Sequence, residues 1–404
     1  MGQRDQSVMA VLDVGSHKTC VLAGEMHEGA LRYLGHGVVE TKGVRKGLIA
    51  ELQPAIQSLA SAAALAEEVG HCMIATATAG VGGAHVRGVN SRGGVSLGSR
   101  QREITREDVR AAVDRARQVS LPADREMLHL LPQEFILDDQ SGIHDPVGMV
   151  GSRLEVNLHL STCSSSAAQS IVTCANKAGI EVTDTVYEAV AAAEAVLSGD
   201  ERELGVCIAD VGAGTTEIAV IFEGSVAHTA VLPIGGDHFT NDLAVGLHVG
   251  VQEAERLKRE FGHCVVTSVP NAAEIEVMDS NVEVRLVRQR LLAEMLEPRA
   301  TELFRMMRDN LRNGGVMEAL GAGAVVTGGG AHLAGMLETA ESQLRVPARV
   351  GTPVRLSRMP QTLVCPEFAT AIGMLLYAHR TRTTRAQEDQ GLRAKLRAIF
   401  AGSL

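Results

Sequence analysis

Two short segments combine a carboxylate, glycines and hydroxyls in the order that handling a phosphate requires: Asp13-Val-Gly-Ser-His-Lys and Asp210-Val-Gly-Ala-Gly-Thr-Thr. Glycine has no Cβ, so a turn built on it can bring bare N–H groups against phosphate oxygens. Ser16, Thr215 and Thr216 offer hydroxyl donors, and Lys18 offers a point charge. Asp13 and Asp210 stand at the ends of apolar runs, where a carboxylate can hold a Mg2+ ion through its water shell. A third segment, Val325-Val-Thr-Gly-Gly-Gly-Ala-His-Leu, reads as a strand running into Gly328, Gly329 and Gly330 and then a helix. It is either a tight strand-to-helix turn or a place where a flat adenine and the first phosphates approach bare backbone near a helix N-terminus. Each turn taken singly serves structure as readily as chemistry. Two phosphate turns facing each other would clamp a triphosphate from both sides.

The elements around these turns repeat. Met9 to Gly24 and Val206 to Ile221 each give an apolar strand, Asp-Val-Gly, a small polar turn and a second apolar strand, which is the pattern of a β-hairpin. The two lie about half a chain apart, so we expect a duplicated α/β protein of two domains. Helices are expected over Ser164–Ala178, ended by Gly179, and over the Ala-rich Tyr187–Leu197. Another opens at Thr105 with Asp108 in a capping box. A long amphipathic stretch, Arg288–Asn313, carries Pro298 and should kink or break there. Pro366–His379 is apolar enough to be a buried helix, and Leu154–Leu160 and Val265–Val269 read as strands.

A length of 404 residues accommodates two cores, and 45% hydrophobic with 21% charged residues is a globular composition. Trp is absent, so Ala, Val, Leu and Ile must fill the cores. Seven cysteines without a CxxC pair suit reduced cytoplasmic thiols rather than a disulfide framework or a zinc site. Neither a signal peptide nor an apolar run long enough to span a bilayer is expected. The net charge of −10 argues against nucleic acid as a partner. That charge is uneven: from Arg380 onward the tail carries six basic and two acidic residues. A basic tail on an acidic body points to an anionic partner. Within the tail, Leu392, Leu396, Ile399 and Phe400 share one helical face, flanked by Arg393, Lys395 and Arg397. This is the pattern of a helix lying in a membrane interface, the alternative being a terminal helix docked on the body.

The two hairpins followed by the Gly-rich turn resemble the ATPase fold of actin, Hsp70 and sugar kinases. Further segments match the FtsA family in order: Lys18 in the first hairpin, Asp200 to Gly205, Gly235-Gly-Asp, Ala254-Glu-Arg-Leu-Lys and Thr327-Gly-Gly-Gly. The resemblance implies an actin-like duplicated fold around a nucleotide cleft, with an FtsA-type inserted subdomain. It divides the chain into subdomain 1A (1–83, 164–204 and 358–379), the inserted 1C (84–163), 2A (205–235 and 314–357) and 2B (236–313). A linker (380–390) and a membrane helix (391–404) follow. ATP and Mg2+ are the implied cofactors. Asp13, Gly15, Ser16, His17 and Lys18 would lie under the phosphates, with Asp210, Gly212, Gly214, Thr215 and Thr216 opposite. Gly236, Glu255, Lys258 and Gly328 to Gly330 would lie near the nucleoside, and Asp13 and Asp210 would hold the metal through water.

Two departures bear on hydrolysis: Ser16-His17 replaces a Thr or Ser pair, and Glu217 stands where Asp is common. Glu188 is either a plain helix residue or the catalytic carboxylate that positions a water, and at most weak ATPase activity is expected. The implied role is a division adaptor, peripheral on the cytoplasmic face of the inner membrane at midcell. It would polymerise with itself and bind anionic lipid, other division proteins and the C-terminal peptide of FtsZ. Arg285, Arg288, Arg290, Arg299, Arg305 and Arg308 are either a solvated helix face or the surface that meets this peptide. A PilM-like pilus-assembly homologue and an ATP-dependent small-molecule kinase are the alternatives. The first would not be expected to carry a lipid-binding helix, and the second lacks a distinct general base. An Hsp70 chaperone is not expected, because no substrate domain follows.

Overall fold

A computed structural model describes residues 8–98, 100–278 and 283–383. Two five-stranded sheets share one plan. The first runs Glu181–Tyr187, Thr76–Val81, Val8–Val14, Lys18–His27, Ala30–Glu40, and the second runs Ala348–Val350, Gly323–Thr327, Val206–Val211, Thr216–Phe222, Ser225–Leu232. In each, a three-stranded antiparallel meander is extended by two parallel strands. The expected duplication is therefore a duplication of topology.

The apolar runs have no polar alternation because both faces of each sheet are covered. Alternate residues enter different cores. Met9, Val11, Cys20 and Leu22 join Val206, Ile208, Ala219 and Ile221 in a core between the sheets, whereas Ala10, Leu12 and Val21 pack outward under the first sheet. Cys207, Ala209, Ile218 and Val220 pack outward under the second. The layer between the sheets is formed by helix Glu188–Val196 and the helical residues 369–383, whose Ala189 to Ala193 and Ala369 to Leu375 contribute to that core. Small side chains let these helices cross closely. A Cβ on Gly373 would stand 1.8 Å from the Ala191 carbonyl oxygen.

The inserted segment forms its own four-stranded sheet, ordered Gln140–Ile143, Arg125–Leu137, Arg153–Ser164, Arg87–Ser96, under helix Arg106–Arg117. Thr105 and Asp108 form the expected capping box. This sheet lies against the edge strand Ser225–Leu232 of the second lobe. Asn90 and Gln133 donate their amides to the Ala227 and Val226 carbonyls at 3.1 and 3.0 Å, and His159 Nε2 meets Thr229 Oγ1 at 2.8 Å. Side chains thus cover an edge that would otherwise offer unpaired backbone groups.

Three readings need correction. Val265–Val269 is no strand: Val266–Ser268 is a 3-10 turn closed by Ser268 N–H to Val265 O, and Pro270 follows it. Of the kink or break expected at Pro298, the break does not occur: the helix runs Gln289–Asn313 without interruption. A proline inside a helix costs about 3 kcal/mol, whereas Leu292, Leu296, Leu303, Phe304, Met307 and Leu311 are all fully buried along one face, each contributing roughly 1.5–3 kcal/mol. The last helix does not end at His379 but continues to residue 383, inside the expected linker, with Arg380 paired to Glu194 at 2.8 Å. All seven cysteines are unbonded. Among the described residues no helix is long and apolar enough to cross a membrane. The tail residues Leu392, Arg393, Lys395, Leu396, Arg397, Ile399 and Phe400 lie outside the described residues.

The helix crossing gives a direct test. Gly373→Ala should lower stability by at least about 2 kcal/mol, since neither backbone can retreat from a packed layer. Thermal unfolding measures it, and a loss under about 0.5 kcal/mol would show that the two helices can part freely.

Candidate functional site

The two hairpin turns close alike. Gly15 N–H donates to Lys18 O and Gly212 N–H to Thr215 O, both at 3.0 Å. Each turn emerges where its strand pair ends, with Val14 opposite Thr19 and Val211 opposite Thr216. The turns face a common cavity of about 500 Å3, within the range of small-molecule sites. Asp13, Gly15, Ser16, His17, Lys18, Asp210, Gly212, Gly214 and Thr215 line it, together with Gly236, Glu255, Lys258, Gly328, Gly329, Gly330 and Glu188.

Thr216 is the exception. It is fully buried, and its hydroxyl donates to Ile234 O at 2.8 Å. Thr216 is already the first strand residue, and alternation turns it away from the cavity while the next residue, Glu217, turns in. The Gly-rich turn also differs from its reading. It leads into a 3-10 turn, Gly329–His332, and the α-helix begins only at Met336. Gly328 has φ +79°, and a Cβ there would stand 2.2 Å from Asp210 Oδ1, whereas Gly329 faces open space. Gly328 is thus required by the fold and Gly329 is not.

Neighbouring elements brace the second turn. Helix Gly236–Leu247 begins beside it, and its first N–H groups are already used: Gly236 and Asp237 donate to the Gly212 and Ala213 carbonyls, both at 2.9 Å. This helix start holds the turn in place. Helix Val251–Phe261 supplies a second group: Lys258 Nζ contacts Glu255 Oε2 at 2.6 Å, Thr240 Oγ1 at 2.8 Å and Gly236 O at 3.1 Å. Burial pushes the Glu255 carboxyl up, but Lys258, Thr240 and Arg259 outweigh it and hold the pKa at about 2.

Four of the cavity's carboxylates, Asp13, Glu188, Asp210 and Glu217, act on one another. Asp13 Oδ2 is paired with Lys18 Nζ at 3.0 Å, and Asp210 Oδ2 accepts from the Thr370 hydroxyl. Burial pulls the Lys18 ammonium down, yet the Asp13 carboxylate beside it raises its pKa on balance. Asp210 is pushed up by burial and by Asp13, against the Thr370 bond and Lys18. Glu188 and Glu217 are pushed up by burial first and then by neighbouring carboxylates. Glu217 Oε1 accepts the Gly83 N–H across the lobes at 2.6 Å, while its Oε2 is buried with no protein partner. Both glutamates converge on Gly82, where a Cβ would lie 2.2 and 2.4 Å from their oxygens.

Among the described residues no cluster of three or more His, Cys, Asp or Glu side chains could by itself hold a metal. Asp13 and Asp210, each with one oxygen engaged, therefore fit a hard cation that brings most of its oxygen ligands as phosphate and water. Gly47, Gly83, Arg259 and Thr370 also line the cavity and were missed from the sequence, as does Glu217, which was read only as a departure bearing on hydrolysis. Only Glu217 carried a local signal, as a charge inside an otherwise apolar strand.

The raised glutamates carry a pH signature. A carboxyl whose folded pKa is raised binds its proton where the unfolded chain has lost it, so stability falls as pH rises above the ordinary carboxylate range. Glu217→Gln keeps an acceptor for Gly83 and removes the Glu217 share of that slope. In the nucleotide-free protein, calorimetry should show the variant gaining on the order of 1–3 kcal/mol over the unchanged chain between about pH 5 and about pH 8. Parallel stability curves would show that Glu217 ionises normally.

Comparison with known proteins follows the same lines. A family described as "Cell division protein FtsA" matches residues 207–373, and one described as "SHS2 domain inserted in FTSA" matches residues 83–162. The chain is 37% identical over 369 residues to Cell division protein FtsA of Pseudomonas aeruginosa, covering 91% of this chain and 88% of the relative. It is 32% identical to that of Escherichia coli K12 (92% and 90% covered) and 33% identical to that of Bacillus subtilis 168 (91% and 83%). Among solved structures, a PilM-PilN type IV pilus biogenesis complex aligns with TM-score 0.65 at 15% identity over 93% of this chain and 99% of that one. MreB5 of Spiroplasma citri bound to ADP aligns with TM-score 0.53 at 14% identity over 96% and 99%. At such identities these two likenesses establish the shared actin-like fold alone.

Proposed function

The chain belongs to the FtsA family of cell division proteins, and from that premise we propose that it is an ATP-binding adaptor that holds the FtsZ ring on the membrane. One observation carries the nucleotide part: two hairpins ending in Asp13 and Asp210, and the Gly328–Gly330 turn, open onto one cavity. The turn N–H groups, Ser16 and Thr215 would hold phosphate oxygens, and Lys18 would add charge. Glu255, Lys258 and the Gly-rich turn would flank the nucleoside. Asp13 and Asp210 would hold Mg2+ through water, and the bound ion would offset phosphate charge in a cavity already rich in carboxylates. A nucleotide-bound MreB among the fold neighbours supports the choice of ligand.

Glu188, on the cavity wall beside Glu217, is the residue we assign to positioning an attacking water. Burial and its neighbour favour its protonated form, which makes it a poor base at neutral pH and suits slow turnover. The subdomain limits expected from sequence, 1A, 1C, 2A and 2B, remain part of this reading.

For the FtsZ peptide we propose subdomain 2B. Of the six arginines singled out there, four have partners within the body: Arg285 with Leu247 O, Arg290 with Asn271, Arg299 with Asp242 and Arg308 with Gln343 O. Arg288 and Arg305 are exposed, and Arg288 shares its strand with the exposed Val284 and Leu286, which supports a mixed apolar and acidic ligand there.

Membrane attachment rests on residues 391–404. Each large apolar side chain contributes roughly 1.5–3 kcal/mol when fully buried, and each basic residue adds about 1 kcal/mol near anionic lipid. Helix formation offsets much of that. One copy would bind reversibly and a polymer firmly, through avidity. The protein would then be peripheral at the inner face of the membrane, at midcell.

Gly329→Asp is expected to fold normally, because its Cβ meets open space. It should nevertheless lose binding of a fluorescent ATP analogue; retained affinity would remove the nucleotide reading. Removing residues 391–404 should abolish sedimentation with anionic liposomes while leaving analogue binding intact. Liposome binding by the truncated chain would sink the anchor.

A further inference from the structure

Two side chains meet across the mouth of the cavity. Arg259 Nη2 lies 3.1 Å from His17 Nε2, joining positions 242 residues apart. His17 is at the tip of the first hairpin, and Arg259 is on helix Val251–Phe261 of the opposite lobe. Both line the cavity. A guanidinium can only donate, so Nε2 is the acceptor and the neutral ring carries its proton on Nδ1.

Each arm is anchored within its own lobe. Arg259 Nε donates to Glu255 Oε1 at 2.6 Å, and Glu255 is itself held by Lys258 Nζ at 2.6 Å. The His17 carbonyl accepts the Thr41 N–H at 2.9 Å. The side-chain tips can therefore separate without disturbing the turn or the helix that carry them. Both side chains are solvent-exposed, Arg259 at 60%, which places the contact at the entrance; the His17 side chain, expected under the phosphates, thus stands at the mouth of the cavity instead.

We infer that His17 and Arg259 form a gate across the nucleotide cleft, which sets how fast nucleotide exchanges. The inference rests on reading the cavity as a nucleotide site. A gate obstructs entry and exit alike, so breaking it raises association and dissociation rates together and leaves affinity nearly unchanged. A residue that merely gripped a phosphate would affect dissociation alone.

Stopped-flow measurements with a fluorescent ATP analogue on the full chain separate these cases. His17→Ala and Arg259→Ala should each raise both rates by roughly three- to tenfold, the worth of one net hydrogen bond. The double variant should go no further. His17→Gln, whose amide oxygen can accept the same bond, should exchange slowly like the unchanged chain. Unchanged rates in both alanine variants, additive effects in the double variant, or faster dissociation without faster association would overturn the gate and leave the nucleotide site standing. Failure of the unchanged chain to bind the analogue at all would remove both.

Discussion

The joint burial of Asp13, Glu188, Asp210 and Glu217, which costs desolvation first and mutual repulsion second, is the constraint around which the centre of this molecule is arranged. Two unit charges 4 Å apart repel by about 4 kcal/mol even at an effective dielectric constant near 20. A folded body that buries these carboxylates meets the desolvation penalty first and their mutual repulsion second. It relieves them in three ways. Lys18 is drawn onto Asp13, the Thr370 hydroxyl is given to Asp210, and the glutamates are pushed toward their protonated forms. Both glutamates nevertheless remain pushed up, which shows that the relief is incomplete. A cation accompanied by its own anionic ligand would complete it, whereas a bare anion would find a hostile wall.

That arrangement follows from the strands. Because each central strand is buried on both faces, its polar chemistry is confined to its end. Duplicating the sheet puts two such ends opposite each other, and the crossed Ala-rich helices fix their separation. Gly82 belongs to the same logic, since any side chain there would strike both glutamates. The lobes are thus tied at the floor of the cleft through Gly83 and Glu217, and at its mouth through His17 and Arg259.

The sequence made the hairpins legible because their signal is local. An apolar run, Asp-Val-Gly and a second apolar run occupy consecutive residues, and their repetition half a chain away points to duplication. The caps at Thr105 and the helix stop at Gly179 were legible for the same reason. Thr216 was misplaced because composition cannot say at which residue a turn becomes a strand, and one position reverses the face. Thr370, Gly47 and Arg259 were missed because they reach the cavity from distant segments and carry no motif of their own. Pro298 was read by its intrinsic preference, which a fully buried helix face outweighs.

The same reasoning explains why fold likeness says little about role here. Any chain that clamps a ligand between two meander ends needs buried strands, glycine turns and a crossed-helix layer, so these features persist when almost all identity is lost. The side chains that the fold does not need are free to differ. His17 and Arg259 are exposed, and changing either removes no core contact. Positions of this kind change at little cost in stability. They are therefore where bodies that share this fold are free to diverge.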